Sequence, residues 1–119
     1  MTGQRILIIE DSPDIADVLS SILTDEGYKV TARTEASDIV KLVIDNQPDL
    51  IITDYILEGI NGGEYCATLK RDERTSHIPV IILSGYGKLL ESLGDYGADK
   101  IVDKPFDNAH LLITVAGLL

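Results

Sequence analysis

Basic residues are scarce in this chain, where 10 lysines and arginines face 20 aspartates and glutamates, a formal net charge of -10. A protein that grips nucleic acid by its phosphates needs clustered Lys and Arg, so direct nucleic-acid binding is not expected, and basic partners or cations suit the surface better. Cysteine is nearly missing. The single Cys66 leaves no internal disulfide and fits a reducing compartment, which favours a cytoplasmic location. No run approaches the ~18 apolar residues of a membrane span. The start MTGQRILIIED lacks a basic segment followed by a long apolar stretch, so neither membrane insertion nor secretion is expected. Internal repeats and low-complexity segments are absent too, and the 5 tyrosines show no spacing suited to base stacking.

What is present is aliphatic and periodic. With 119 residues and 45% hydrophobic content, the chain has the length of one domain and enough apolar mass for a core, so a single domain over 1–119 is expected. Aliphatic runs at 6–9, 50–53, 80–83 and 101–102 read as buried parallel strands. A further strand is expected at 28–32, and the third, fourth and fifth strands extend over 49–53, 78–83 and 99–102.

Amphipathic helices alternate with these strands. Ser12 can cap the first helix with Pro13 at its first position, and Ile15, Val18, Leu19, Ile22 and Leu23 recur at helical spacing until Gly27 stops it. Thr34 is the expected cap of a second helix whose inward stripe is Ala36, Ile39, Val40 and Val43, ending before Pro48. Gly62-Gly63 opens a third helix through Asp72, with Tyr65, Cys66 and Leu69 facing inward. After a glycine-rich junction at 84–87, a short fourth helix is expected over 88–96, ended by Gly97, and a last helix over 106–119. Strands alternating with helices predict an α/β fold, a doubly wound parallel sheet with helices on both faces.

Four polar positions stand out because each closes an aliphatic run: Glu10-Asp11, Asp54, Ser84 and Lys104. Open parallel sheets collect their ligands at the carboxyl ends of the strands, so one site can hold three carboxylates, a hydroxyl and an ammonium. Glu10, Asp11 and Asp54 would form an all-oxygen pocket for a hard divalent cation such as Mg2+. An incoming phosphoryl group would need its oxygens neutralised, and the cation, Ser84 and Lys104 could share that work. A carboxylate nucleophile then yields an acyl phosphate.

With its ordered motifs ILIIED, DLIITD, VIILSG and DKPF, the chain resembles over 5–117 the receiver domain of two-component response regulators, the CheY-like family. That resemblance implies a flavodoxin-like, five-stranded parallel sheet in the order 2-1-3-4-5. It implies Asp54 as phosphoacceptor, Asp11, Asp54 and the Tyr55 carbonyl as Mg2+ ligands, and Glu10 as a ligand acting largely through water. Ser84 would be the switch hydroxyl, Lys104 would pair with the phosphoryl group, and the Lys104-Pro105 bond would be cis. A histidine kinase or phosphotransfer protein would supply the phosphoryl group in a phosphorelay. The domain itself would catalyse its aspartyl phosphorylation and dephosphorylation, and phosphorylation would alter the surface of the fourth helix, fifth strand and last helix.

Several positions depart from the family pattern. Ile101 stands in the fifth strand where many receivers carry an aromatic switch residue, with Tyr86 or Tyr96 as conceivable substitutes. Glu58 replaces a common proline, and Asp103 beside Lys104 reads as a solvated charge at a strand end. Ile56 and Tyr86 lie two residues after the acceptor and the switch hydroxyl, and their bulk predicts slow self-hydrolysis.

In the last helix Leu111, Val115 and Leu118 form a core stripe, while Leu112, Ala116, Leu119 and nearby Ile113 form a second apolar stripe. That second stripe is the expected contact for a homodimer or an output partner. His77 and His110 lie away from the inferred pocket and read as surface residues, and Cys66 reads as packing.

Other classes fit less well. An Mg2+-dependent phosphohydrolase with an aspartyl nucleophile would carry a second Asp at position 56, where this chain has Ile56. A flavin binder would need a hydroxyl-rich first loop, whereas Asp11-Ser12-Pro13-Asp14 repels phosphate. A receiver-like interaction module that is never phosphorylated would be expected to have lost Asp54 or Lys104.

Overall fold

The computed structural model describes residues 3–55, 61–85 and 96–119. Within them the chain runs β1 (Arg5–Ile9), α1 (Pro13–Asp25), β2 (Lys29–Arg33), α2 (Ile39–Asn46), β3 (Leu50–Asp54), α3 (Gly62–Arg71), β4 (Val80–Ser84), β5 (Lys100–Asp103) and α4 (Asn108–Leu118), the last helix. All strand pairings are parallel, in the order β2-β1-β3-β4-β5. This is the flavodoxin-like order the resemblance implies.

Successive side chains of a strand point to opposite faces, and here both faces are covered, which is why the strands read as unbroken aliphatic runs. Leu7, Ile9, Ile51, Val80 and Ile82 pack with Val43 of α2 and with Tyr65, Cys66 and Leu69 of α3. Ile6, Ile8, Leu50, Ile52, Ile81, Leu83 and Val102 pack with Leu19 and Leu23 of α1 and Leu111 and Val115 of α4. Each fully buried Leu or Ile contributes about 2 kcal/mol.

The start of α1 follows the expectation, with Ser12 as cap accepting a hydrogen bond from the Ile15 N–H and Pro13 in the first turn. Its inward stripe differs: Ala16 is buried with Leu19 and Leu23, while Val18 is 54% exposed. The helix lies on the sheet along the line of 16, 19 and 23, one position removed from the expected centre. Gly27, with φ 95°, turns the chain into β2.

The second helix starts at Ile39 with Asp38 as its cap, its carboxylate accepting from the Lys41 N–H at 3.1 Å, and not at Thr34. The cause is a distant side chain. The Tyr65 hydroxyl donates to the Ala36 carbonyl and accepts from the Ala36 N–H, both at 3.1 Å, and takes these groups out of helical pairing. Ala36 and Val40 still pack at the edge of the core. Gln47, left-handed at φ 50°, closes α2 ahead of Pro48.

Asp54 and Ser84 prove to be the last residues of their strands and not the first beyond them. Backbone pairing continues past each, with Tyr55 N–H donating to the Leu83 carbonyl at 2.8 Å and Lys104 N–H to the Ser84 carbonyl at 3.0 Å. The last helix begins at Asn108 under the Asp107 cap, after a cis Lys104-Pro105 bond. The expected helix over 88–96 lies outside the described residues except for Tyr96, as do Ile56, Glu58 and Tyr86.

Candidate functional site

The parallel order brings the carboxyl ends of β1, β3 and β4 side by side at one edge of the sheet, with β5 next to β4. Glu10 follows β1, Asp54 ends β3, Ser84 ends β4, and Lys104 follows β5. Oxygens of Glu10, Asp11 and Asp54 all lie within 4.8 Å of one another. Glu10, Asp54 and Ser84 are buried. The Lys104 ammonium reaches across to Asp54 Oδ1 at 2.7 Å and stands 3.7 Å from Glu10 Oε2.

One ammonium does not neutralise three carboxylates, so negative charge is in excess. At Glu10 burial is the larger influence. Burial, reinforced by the negative charge of Asp54, pushes its carboxyl up to about 7, against the pull of a hydrogen bond from Ser12 N–H and the charge of Lys104. Glu10 Oε1 accepts that Ser12 N–H at 3.2 Å, whereas Oε2 is buried without a hydrogen-bond partner among the described residues. A buried oxygen left without a donor, inside an all-oxygen set at the solvent end of a sheet, fits a hard divalent cation.

The chain around Asp54 is held from several sides. The Tyr55 carbonyl accepts the Gly62 N–H at 2.8 Å, which ties the start of α3 to the end of β3. Thr53 Oγ1 donates to the Asp54 carbonyl at 3.2 Å. Ser84 sits one residue beyond Leu83, the register partner of Asp54, and opposite Asp103 of β5. Asp103 is exposed, as expected of a solvated strand end, and His77 and His110 are exposed away from the cluster.

Sequence reasoning missed three contributors. In the sequence Gly62 marks only a helix start, yet a Cβ there would lie 1.9 Å from the Asp54 carbonyl oxygen. Thr53 belongs only to a strand pattern. Tyr96 stands out in the sequence only for its aromaticity, whereas its ring stands beside Tyr55, with centroids 6.1 Å apart. The doubled glycine at the helix start was the one visible signal, since it marks a place where backbone approaches backbone.

Half of the second apolar stripe of the last helix is absorbed by the core. Leu112 and Leu119 pack against the cluster that holds Leu111 and Val115. Ile113 is 72% exposed, beside a groove of about 480 Å3 lined by Lys100, Ile101, His110 and Thr114 among others. Ala116 is exposed on the same helix. No described helix is long and apolar enough to cross a membrane.

Residues 6–116 match the family model of the response regulator receiver domain. The DNA-binding dual master transcriptional regulator RpaA of Synechocystis sp. is 40% identical over 117 residues, covering 97% of this chain and 48% of its own length. The phosphate regulon transcriptional regulatory protein PhoB of Pseudomonas aeruginosa is 33% identical over 122 residues, covering 100% of this chain and 53% of its own. The chain thus spans about half the length of the curated relatives it matches. Among solved structures, response regulator protein TrrA from Thermotoga maritima, in complex with Mg(2+)-BeF, superposes with a TM-score of 0.87 at 28% identity, covering 98% of this chain and 99% of that one.

Proposed function

This chain belongs to the response regulator receiver domain family of two-component systems, and from that membership we propose that Asp54 is its phosphoacceptor, loaded by a histidine kinase or phosphotransfer protein. The observation that carries the reading is the 2.7 Å contact of Lys104 with Asp54 inside the three-carboxylate cluster. An isolated strand-end aspartate is an ordinary cap, but one that shares a lysine and an acidic pocket is equipped for phosphoryl transfer.

Glu10, Asp11, Asp54 and the Tyr55 carbonyl would hold Mg2+, which when bound supplies positive charge for phosphoryl oxygens. In the transfer, a carboxylate oxygen of Asp54 bonds to phosphorus as the P–N bond of a phosphohistidine breaks, and the imidazole leaves with the electron pair and takes up a proton. Lys104, already on Asp54, pairs with the new phosphoryl oxygens, and the buried Ser84 hydroxyl donates to another. Hydrolysis later restores the carboxylate and releases phosphate. The slow hydrolysis expected from Ile56 and Tyr86 rests on side chains outside the described residues. The test is incubation with Mg2+ and acetyl phosphate followed by intact mass measurement. A folded wild type that gains no phosphoryl group would leave the unphosphorylated interaction module as the better account.

Binding of Mg2+ to the native chain alone should raise its stability. At a concentration roughly tenfold above Kd the gain is about 1.4 kcal/mol, a rise of about 5 °C in the melting midpoint for a domain of this size. Melting curves with millimolar Mg2+ and with EDTA that coincide would remove the cation from the scheme.

The exposed face of α4, with Ile113 and Ala116 beside the β5 groove, is the surface we assign to a second copy or an output partner, with Leu112 contributing only its outer edge. Because Ile113 is 72% exposed, Ile113→Asp should leave the melting midpoint nearly unchanged while weakening association of the phosphorylated chain, as read by sedimentation. Unchanged association would show that this face is not the contact. Leu112→Glu is the poorer probe, since Leu112 also packs on the core.

A further inference from the structure

The Tyr55 carbonyl can serve a cation only if it keeps its direction, and a side chain from just ahead of β5 stands against the Tyr55 ring. Tyr96 sits in a left-handed backbone conformation, φ 58°, next to Gly97 at φ 83°. Its ring lies 6.1 Å from that of Tyr55, centroid to centroid, with the planes tilted by 41°. The same ring rests on α3, where a Cβ on Gly63 would stand 2.5 Å from its Cδ2.

These contacts bear on one atom. The Tyr55 carbonyl accepts the Gly62 N–H at 2.8 Å, so its direction depends both on the Tyr55 backbone and on the first turn of α3. Tyr96 packs on both, through the Tyr55 ring and through Gly63. A carbonyl oxygen has two lone pairs, so one bond to Gly62 leaves the other for a cation.

Tyr96 itself stands on a fixed base. Three residues on, Asp99 Oδ2 accepts from Lys70 Nζ and from the Val80 N–H, both at 2.8 Å, and Lys70 Nζ also donates to the Ile78 carbonyl at 2.8 Å. The segment carrying Tyr96 is thereby pinned to α3 and β4 together.

We propose that Tyr96 is a positioning residue for the cation site, a buttress that holds the Tyr55 carbonyl in its ligating direction by packing on Tyr55 and on Gly63 at once. This rests on the Mg2+ reading given above. Outer-shell supports of this kind typically change metal affinity 10- to 100-fold when removed. Gly63 is then small for a reason separate from its helix: any side chain there evicts the ring.

Titration calorimetry with Mg2+ in the cold, alongside melting curves in EDTA, tests the assignment. Tyr96→Ala should weaken Mg2+ binding by about tenfold or more, and Tyr96→Phe, which keeps the ring, should bind nearly as wild type does. Gly63→Ala should also weaken Mg2+ binding, although alanine is the better helix former. In the Tyr96→Ala background the same change should have no effect, because no ring remains to be displaced. If Tyr96→Ala does not fold, Gly63→Ala with Tyr96→Phe supplies the test. A variant whose midpoint in EDTA falls while its Mg2+ affinity equals wild type would reduce Tyr96 to a structural residue and overturn the proposal, as would equal Gly63→Ala effects in both backgrounds. A wild type that binds no Mg2+ would overturn the metal reading first.

Discussion

Asp54→Asn should gain no phosphoryl mass from acetyl phosphate under conditions in which wild type gains one phosphoryl group. The substitution nearly preserves shape, so the buried end of β3 keeps its packing, but the amide oxygen lacks the negative charge that makes a carboxylate the nucleophile. Lys104 would lose its 2.7 Å partner yet retain the Glu10 carboxylate, 3.7 Å away, as a counter-charge. The fold should therefore survive, and an unchanged circular dichroism spectrum would confirm that the loss is chemical. Phosphorylation of Asp54→Asn to the wild-type level would place the acceptor elsewhere. Asp11→Asn offers the complementary case: the acceptor remains but one carboxylate of the cluster is gone, so uptake should slow and require more Mg2+ without vanishing.

How much of this was legible beforehand follows from how local each signal is. Ile6 to Ile9 and the run before Asp54 read as strands because a parallel sheet covered on both faces needs aliphatic residues at consecutive positions. Ser12 and Pro13 read as a helix start because cap and first turn are neighbours in the chain. The convergence of Asp11, Asp54 and Lys104 was legible too, since ends of parallel strands share one edge whatever the loops do. The start of α2 was not, because the Tyr65 hydroxyl that claims the Ala36 backbone comes from 29 residues away. Val18 was misplaced for a related reason: spacing defines a stripe, while the lie of the helix on the sheet chooses its centre, and that choice buried Ala16. The reach of Tyr96 to Tyr55 and Gly63 likewise depends on tertiary packing that no local pattern records.

Gly62→Ala should lower the stability of the domain more than any other exchange of a glycine for alanine among the described residues, by about 3 kcal/mol or more. Its Cβ would be placed 1.9 Å from the Asp54 carbonyl oxygen, 2.9 Å from the Asp54 carbonyl carbon and 2.7 Å from Thr53 Oγ1. Two of these are backbone atoms at the end of a fully buried strand, so no flexible side chain can swing aside. Relief requires α3 to retreat from β3, which lengthens the 2.8 Å bond from Gly62 N–H to the Tyr55 carbonyl and disturbs the support of Asp54. Stability and function should fall together: a melting midpoint lower by about 12 °C or more, and Mg2+ binding weakened even where the fold is intact. Gly117→Ala is the control, because nothing lies within 4 Å of a Cβ there and alanine favours the helix it joins. Its midpoint should match or exceed wild type. If Gly62→Ala melted with the control, the close approach of α3 to the end of β3 would be wrong, and with it the account of how the strand-end carboxylate is held in place.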